Sequence, residues 1–228
     1  MDILDSYLER YGIEDIREKL DTFYEELIEW NEKFNLTSIT DRDAVYEKHF
    51  IDSLFAVTRL PEGAKVCDIG SGAGLPVIPL ALARPDCEFT SVDSLNKRVG
   101  FMDHIIEELE IDNCSAYHDR AEDWAKEHRE EYDVCTARAV APLNILAEYC
   151  MPLVKVGGIM FAYKGADGAK ELKTAAKALT LLGAGNVNTL STTLPCGDRR
   201  MIIIVQKVKP TPASYPRGGN KPRLSPLI

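Results

Sequence analysis

Long apolar runs are missing from this 228-residue chain. No stretch approaches the ~20 residues that span a bilayer, so no membrane partner is expected. The first ten residues, MDILDSYLER, are acidic and amphipathic. They have neither the basic start nor the small-residue cleavage site of a secretory leader. The six cysteines (Cys67, Cys87, Cys114, Cys135, Cys150 and Cys196) form no C-x-x-C pair, which argues against a zinc centre or any other metal site. Several fall in predicted strands, where a reduced thiol serves as a small apolar residue. That usage fits a cytoplasmic protein. No internal repeat is present.

Positive charge is scarce and unevenly spread. The formal charge is −9. From Arg199 onward there are seven basic residues (Arg199, Arg200, Lys207, Lys209, Arg217, Lys221 and Arg223) and no acids, so the first 198 residues carry −16. A basic tail on an acidic body suits a local polyanion contact or a solvated terminus.

What is present is periodic. Ile16, Leu20, Phe23, Leu27, Trp30 and Phe34 recur at steps of three and four, which predicts a long helix over 15–34. A second helix is expected over 43–58, and the turn LPEG at 60–63 separates a helical cap, 1–59, from the remainder. Strands are predicted at 65–69, 87–92, 113–117, 132–137 and 157–163, with helices at 74–84, 96–110, 121–130, 142–151 and 168–182 between and after them. Such alternation implies an α/β fold with parallel strands and right-handed crossovers. Two further strands, 187–194 and 199–208, flank PCGD and read as a hairpin, so the final strand is antiparallel. The main domain is therefore 60–208, and the Pro- and Gly-rich tail 209–228 is expected to be extended.

The stretch KVCDIGSGAGLPVIPLALA (65–83) places Gly70, Gly72 and Gly74 between a strand and a helix. Glycines there allow backbone to approach a ligand closely, although glycine turns also serve packing alone. Phosphate loops need a following Lys-Ser or Lys-Thr, which is missing. The dinucleotide fingerprint needs its third glycine one residue later, which weakens the alternative of an NAD-dependent oxidoreductase. The order Asp68, Gly70, Gly72, Gly74, Leu75 resembles the cofactor loop of S-adenosylmethionine-dependent methyltransferases. Asp93 ends the second strand, where a carboxylate binds both hydroxyls of a ribose or caps the next helix. HDRAEDW (118–124) follows the third strand and offers Ala121 and Glu122, or is simply a charged helix start. Arg138 ends the fourth strand, suited to a carboxylate, an RNA phosphate or a surface ion pair.

Two catalytic signatures are missing: an Asn/Asp-Pro-Pro-aromatic run after the fourth strand, and a cysteine nucleophile following proline. A reaction that needs neither is methylation of an atom that already carries a free lone pair, such as guanine N7; proximity and in-line alignment then suffice.

Taken together, WNEKFNLTSIT (30–40), KHFIDSL (48–54), DIGSGAGLPVIPLA (68–81), DSLNKR (93–98), DRAE (119–122), TARAVAPL (136–143), YKG (163–165) and YPRGGNKP (215–222) closely resemble the bacterial small-subunit ribosomal RNA guanine-N7 methyltransferases, the RsmG or GidB family (glucose-inhibited division protein B). The resemblance covers nearly the whole chain. It implies a Rossmann-like class I methyltransferase fold with a mostly parallel seven-stranded sheet, S-adenosyl-L-methionine as cofactor, and a guanine of 16S ribosomal RNA near the decoding centre as target. It also implies cofactor-binding roles for Gly70, Leu75, Ala121, Glu122 and Arg138; a monomer acting on RNA within a small-subunit particle is expected, with Arg138 as the catalytic position where substrate and cofactor meet. Val77 stands where many members have glycine. His49, Asp52 and Ser53 are spaced to share one helix face over the cleft. Lys164, Arg199, Arg200, Arg217, Lys221 and Arg223 are candidate phosphate contacts.

Overall fold

The computed structural model describes residues 3–13 and 16–228. Two helices open it, α1 (Ile3–Tyr11) and α2 (Arg17–Phe34). α2 buries Leu20, Phe23 and Leu27, the stripe its period predicts; residue 15, the first of the expected helix, lies outside the described residues. The helix stops at Asn35, a left-handed residue at φ 48°. Asp41 then accepts a hydrogen bond from the Ala44 amide at 3.0 Å and starts α3 (Arg42–Val45).

One regular helix is expected over 43–58, but four pieces form, of which α3 is the first. The backbone widens into a π-helix, Tyr46–Ile51, tightens again in α4 (Asp52–Leu54), and ends in a 3-10 turn, Val57–Arg59. π-helical turns concentrate at functional sites because they re-aim side chains, and this one carries His49.

The remainder alternates: β1 (Lys65–Ile69), α5 (Val77–Ala83), β2 (Glu88–Asp93), α6 (Asn96–Glu108), β3 (Cys114–His118), α7 (Ala121–Glu127), β4 (Tyr132–Arg138), α8 (Leu143–Cys150), β5 (Val154–Lys164), α9 (Gly168–Leu181), β6 (Ala184–Thr193), β7 (Arg199–Lys207) and α10 (Lys221–Leu224). The seven strands form one sheet in the order β3-β2-β1-β4-β5-β7-β6. β1 to β5 pair in parallel, and β7 lies antiparallel between β5 and β6. The expected mixed sheet is therefore present.

Both faces of the sheet are covered, so the central strands read as continuous apolar runs. Successive residues alternate between two cores. Val66, Phe161 and Ile202 face the layer that holds α1, α2 and α6; Cys67, Ala162 and Ile203 face α7, α8 and α9. The N-terminal cap shares the first core, with Phe23 stacked on Phe50 and Phe101. Strand order reverses between β1 and β4, which opens a crevice at the carboxyl ends of these strands.

Two expectations are corrected. The glycine stretch stays a turn through Pro76, so α5 begins at Val77 rather than at residue 74. The tail is not wholly extended: Lys221–Leu224 forms a helical turn with proline in its first turn, a position that tolerates the missing N–H. The tail is also strapped down. Arg129 donates to the carbonyl oxygens of Tyr215 at 2.7 Å and Pro212 at 3.1 Å, and to that of Thr211. Asn144 donates to the Leu227 carbonyl at 2.8 Å.

Candidate active site

Three neighbouring cavities lie along the crevice. The largest, about 580 Å³, lies beyond β4 and β5 and is lined by Lys48, His49, Asp52, Arg138, Lys164 and Arg200, among others. A second, about 170 Å³, lies over the glycine loop and is bounded by Thr37, Gly70, Gly72, Leu75, Arg98 and Arg138. The third, about 70 Å³, sits beyond β2 and β3 among Ile69, Val92, Ala121, Glu122, Tyr149 and Arg223. His49, Arg138 and Ala139 line both the first and second cavities and stand between them.

Two of the three glycines have different work. A Cβ on Gly72 (φ +60°) would meet nothing closer than the Gly70 carbonyl oxygen at 3.9 Å, so the space above it is open to the cavity. A Cβ on Gly74 (φ +80°) would lie 2.8 Å from both Ile78 and Met102, inside the packed core. Gly72 leaves room for a ligand; Gly74 closes helix against sheet.

Asp68 is 1 % exposed, and its Oδ1 accepts from the Thr136 hydroxyl at 2.6 Å. This contact follows from the β1–β4 register, which pairs the two residues. Asp68 Oδ2 is buried without a hydrogen-bond partner. Burial pushes the carboxyl up to about 6, against the opposing pull of the Thr136 bond. Asp93 sits at the carboxyl end of β2. Its Oδ2 accepts from the Gly72 amide at 3.0 Å and faces Arg98 at 3.4 Å; its Oδ1 accepts from the Leu95 amide at 2.9 Å. The same carboxylate thus fixes the glycine loop and the turn into α6.

Glu122 is not part of an exposed helix start. It is buried in the third cavity and accepts from Arg120 Nε at 2.9 Å. Ala121 forms the wall beside it, and Leu75 floors the glycine cavity.

Arg138 is likewise no surface pair. Its Nη1 donates to Asp52 Oδ2 at 3.0 Å and to the Lys48 carbonyl at 3.2 Å, while Nη2 lies 3.5 Å from His49 Nδ1. Asp52 Oδ1 in turn pairs with Arg200 at 3.3 Å, and Asp198 joins Arg200 to Lys48. The chain of alternating charges ties the cap, β4 and the β6–β7 hairpin together around the largest cavity. His49 Nε2 contacts the Thr37 hydroxyl at 2.9 Å. Burial, reinforced by Arg138, pushes His49 down to about 4, so the ring is neutral at neutral pH. Ser53 does not share the cleft-facing side: it is fully buried and bonds the His49 carbonyl.

The basic candidates divide. Arg199 and Lys221 are exposed. Arg200 borders the largest cavity within its ion pairs. Lys164 faces that cavity too, but its ammonium is held by Glu171 at 2.8 Å and by the Ala141 carbonyl at 2.7 Å. Arg217 grips Glu148, which is completely buried, through Nε at 2.8 Å and Nη2 at 2.7 Å. Its guanidinium is committed to the fold, which corrects its expected place among phosphate contacts. Arg223 reaches the third cavity. Thr136, Thr37, Lys48 and Tyr149 went unnoticed in the sequence; only Thr136 had a signal, visible once β1 and β4 are neighbours.

A family profile described as rRNA small subunit methyltransferase G (GidB) matches residues 16–202. A ribosomal RNA small subunit methyltransferase G from Staphylococcus saprophyticus is 46% identical over 233 residues, covering 99% of this chain and 97% of its own. One from Halalkalibacterium halodurans is 46% identical, covering 96% of each chain. Among solved structures, an O-methyltransferase from Bacillus cereus in complex with SAH superimposes with TM-score 0.61 at 16% identity, over 90% of this chain and 97% of that one. An rRNA methylase from Streptococcus thermophilus gives 0.52 at 16% identity, over 70% and 95%. These two likenesses establish a shared class I methyltransferase fold. With most of its length matched by one family profile, the chain belongs to the GidB family of small-subunit ribosomal RNA methyltransferases.

Proposed function

We propose that this protein methylates N7 of one guanine in 16S ribosomal RNA, near the decoding centre, using S-adenosyl-L-methionine. The observation that carries the reading is the border at His49, Arg138 and Ala139, which line both the glycine-loop cavity and the larger one, so a cofactor in the first and a base in the second would be neighbours.

The residues present fit the cofactor. The room above Gly72 and the unpartnered buried oxygen of Asp68 lie on the same loop, as a polar ligand laid along it requires. Gly70, Gly72 and Leu75 would hold its amino-acid end, Asp93 its ribose, and Ala121 and Glu122 its base. Asp68 and Gly74 hold the loop's shape. When bound, S-adenosylmethionine supplies an electrophilic methyl group on a sulfonium centre.

The guanine N7 lone pair would be the acceptor for that methyl group. N7 carries no proton, so no side chain has to remove one; the protein's task is alignment. Arg138, held by Asp52 and the Lys48 carbonyl, is fixed at the border and offers its remaining donors to the cofactor carboxylate. A neutral His49 adds no positive charge beside the sulfonium. Lys164 borders the guanine side through its ion pair with Glu171. Arg199 and Lys221 supply phosphate contacts, while Arg200 stays beside the largest cavity in its pairs with Asp52 and Asp198. The protein acts as a monomer in the cytoplasm, on RNA within a small-subunit particle.

Purified protein, methyl-labelled cofactor and either naked 16S RNA or small subunits test this. Label is expected as 7-methylguanosine at one position. Label on another atom, or none on either substrate, overturns the proposal.

A further inference from the structure

The third cavity has a wall that is not built from the α/β domain. It is framed by strand-end residues, but Arg223 closes it from the C-terminal tail, 85 residues beyond the carboxyl end of β4 (Arg138) in sequence. Arg223 Nη2 approaches the Val140 carbonyl at 3.4 Å, and both residues line the cavity with Tyr149. Tyr149 is buried; burial pushes its phenol up, and the neighbouring Arg223 guanidinium pulls in the other direction.

The tail is held where it is by specific bonds. Arg217 grips the buried Glu148 of α8, Asn144 of the same helix holds the Leu227 carbonyl, and Arg129 gathers three tail carbonyls. Residues 217 and 227 are thus both pinned to α8, and the segment between them carries Arg223 across the cavity mouth. A solvated RNA-gripping arm would not need a completely buried carboxylate to fix it.

We infer that the tail is a structural part of the nucleoside site, with Arg223 covering the adenine base. This rests on the cofactor reading above. The other walls suit a purine: Ile69, Val92 and Val140 are apolar, and Glu122 and Asp119 supply polar groups. A guanidinium plane laid on a purine face adds cation–π attraction and excludes water. At about 70 Å³ the cavity is too narrow for a purine ring as it stands. Arg120 and Arg223 line it and are long side chains open to solvent, so an outward rotation of either would widen it for the base. Arg223 therefore moves from the list of phosphate contacts to the cofactor site. S-Adenosylmethionine carries no phosphate, so this role is distinct from RNA binding.

Isothermal titration of the full chain with S-adenosylhomocysteine and with adenosine tests it. Arg223→Ala is an exposed substitution that leaves the Arg217–Glu148 anchor intact. It is expected to weaken both ligands by a similar factor, on the order of tenfold, with binding stoichiometry unchanged. Lys177→Ala, an exposed residue of α9, leaves both affinities as they were. A loss of stoichiometry at unchanged affinity would mean that Arg223 only supports folding, and would overturn the inference. So would an Arg223→Ala protein that binds both ligands like wild type while wild type binds well. Wild-type protein with no affinity for S-adenosylhomocysteine would remove the cofactor reading itself, and the tail's role with it.

Discussion

Removing Arg217 separates two pictures of the tail. In the charge pattern Arg217 is one of seven cations available to RNA; in the fold it neutralises a carboxylate that water does not reach. Arg217→Ala deletes two side-chain donors to Glu148 and leaves only the backbone amide of residue 217, which bonds Oε1 at 2.9 Å. Stranding a buried charge costs about 3–5 kcal/mol. Because the Arg217 side chain is itself 24% exposed, water partly replaces it, and the lower end, about 3 kcal/mol, applies. For a chain of this size each kcal/mol lowers Tm by about 2–4 °C, so the fall is about 6–12 °C. Circular dichroism melts at neutral pH measure it. Adding Glu148→Gln should recover more than half of the loss, since a neutral amide needs no counter-charge. A single variant melting within about 2 °C of wild type would refute the buried-anchor reasoning and return Arg217 to the surface contacts.

Other consequences are as direct. Gly72→Val should abolish S-adenosylhomocysteine binding in a protein that still folds, since its side chain enters open cavity and the left-handed backbone at φ +60° costs about 1–3 kcal/mol; Gly74→Val, whose Cβ meets Ile78 and Met102 at 2.8 Å, should instead fail to give a soluble native state. Retained affinity in the Gly72 variant would remove the loop from the site. His49, pushed down to about 4 from its ordinary 6.5, makes the native state refuse a proton that the unfolded chain takes up, so its contribution is present above about 6.5 and lost as pH falls toward 4. Asp68, pushed up to about 6 from 3.8, works the other way: its contribution is present below about 3.8 and lost as pH rises through 6. His49→Gln should therefore lose less stability than wild type on acidification from pH 6.5 to 4.5; parallel Tm curves would contradict this. Arg199→Ala and Lys221→Ala should each reduce the salt slope of RNA binding by about one, and an unchanged slope in both would move the RNA path elsewhere.

The parts whose cause is local are legible along the chain. Apolar periods of 3.6 and 2 set the helices and strands within a few residues, and the glycine turn, Asp93 and Arg138 fall at strand ends because strand ends are read from the same periods. The breaks in that reading are local too: a π-helical turn leaves no mark on apolar spacing, and the proline of Lys221–Leu224 serves extended chain and first helical turn alike.

Tertiary structure decided what each charge does. Thr136 finds Asp68 across 68 residues only because β4 is inserted beside β1. Arg138 meets Asp52 across 86 residues because the cap folds over the crevice. Arg199 and Arg217 look equivalent in sequence, yet one is exposed and the other holds a buried glutamate. Charge is written in the chain, but desolvation and pairing belong to the surroundings that distant segments assemble, and these decide whether a cation is free for RNA or already used by the fold.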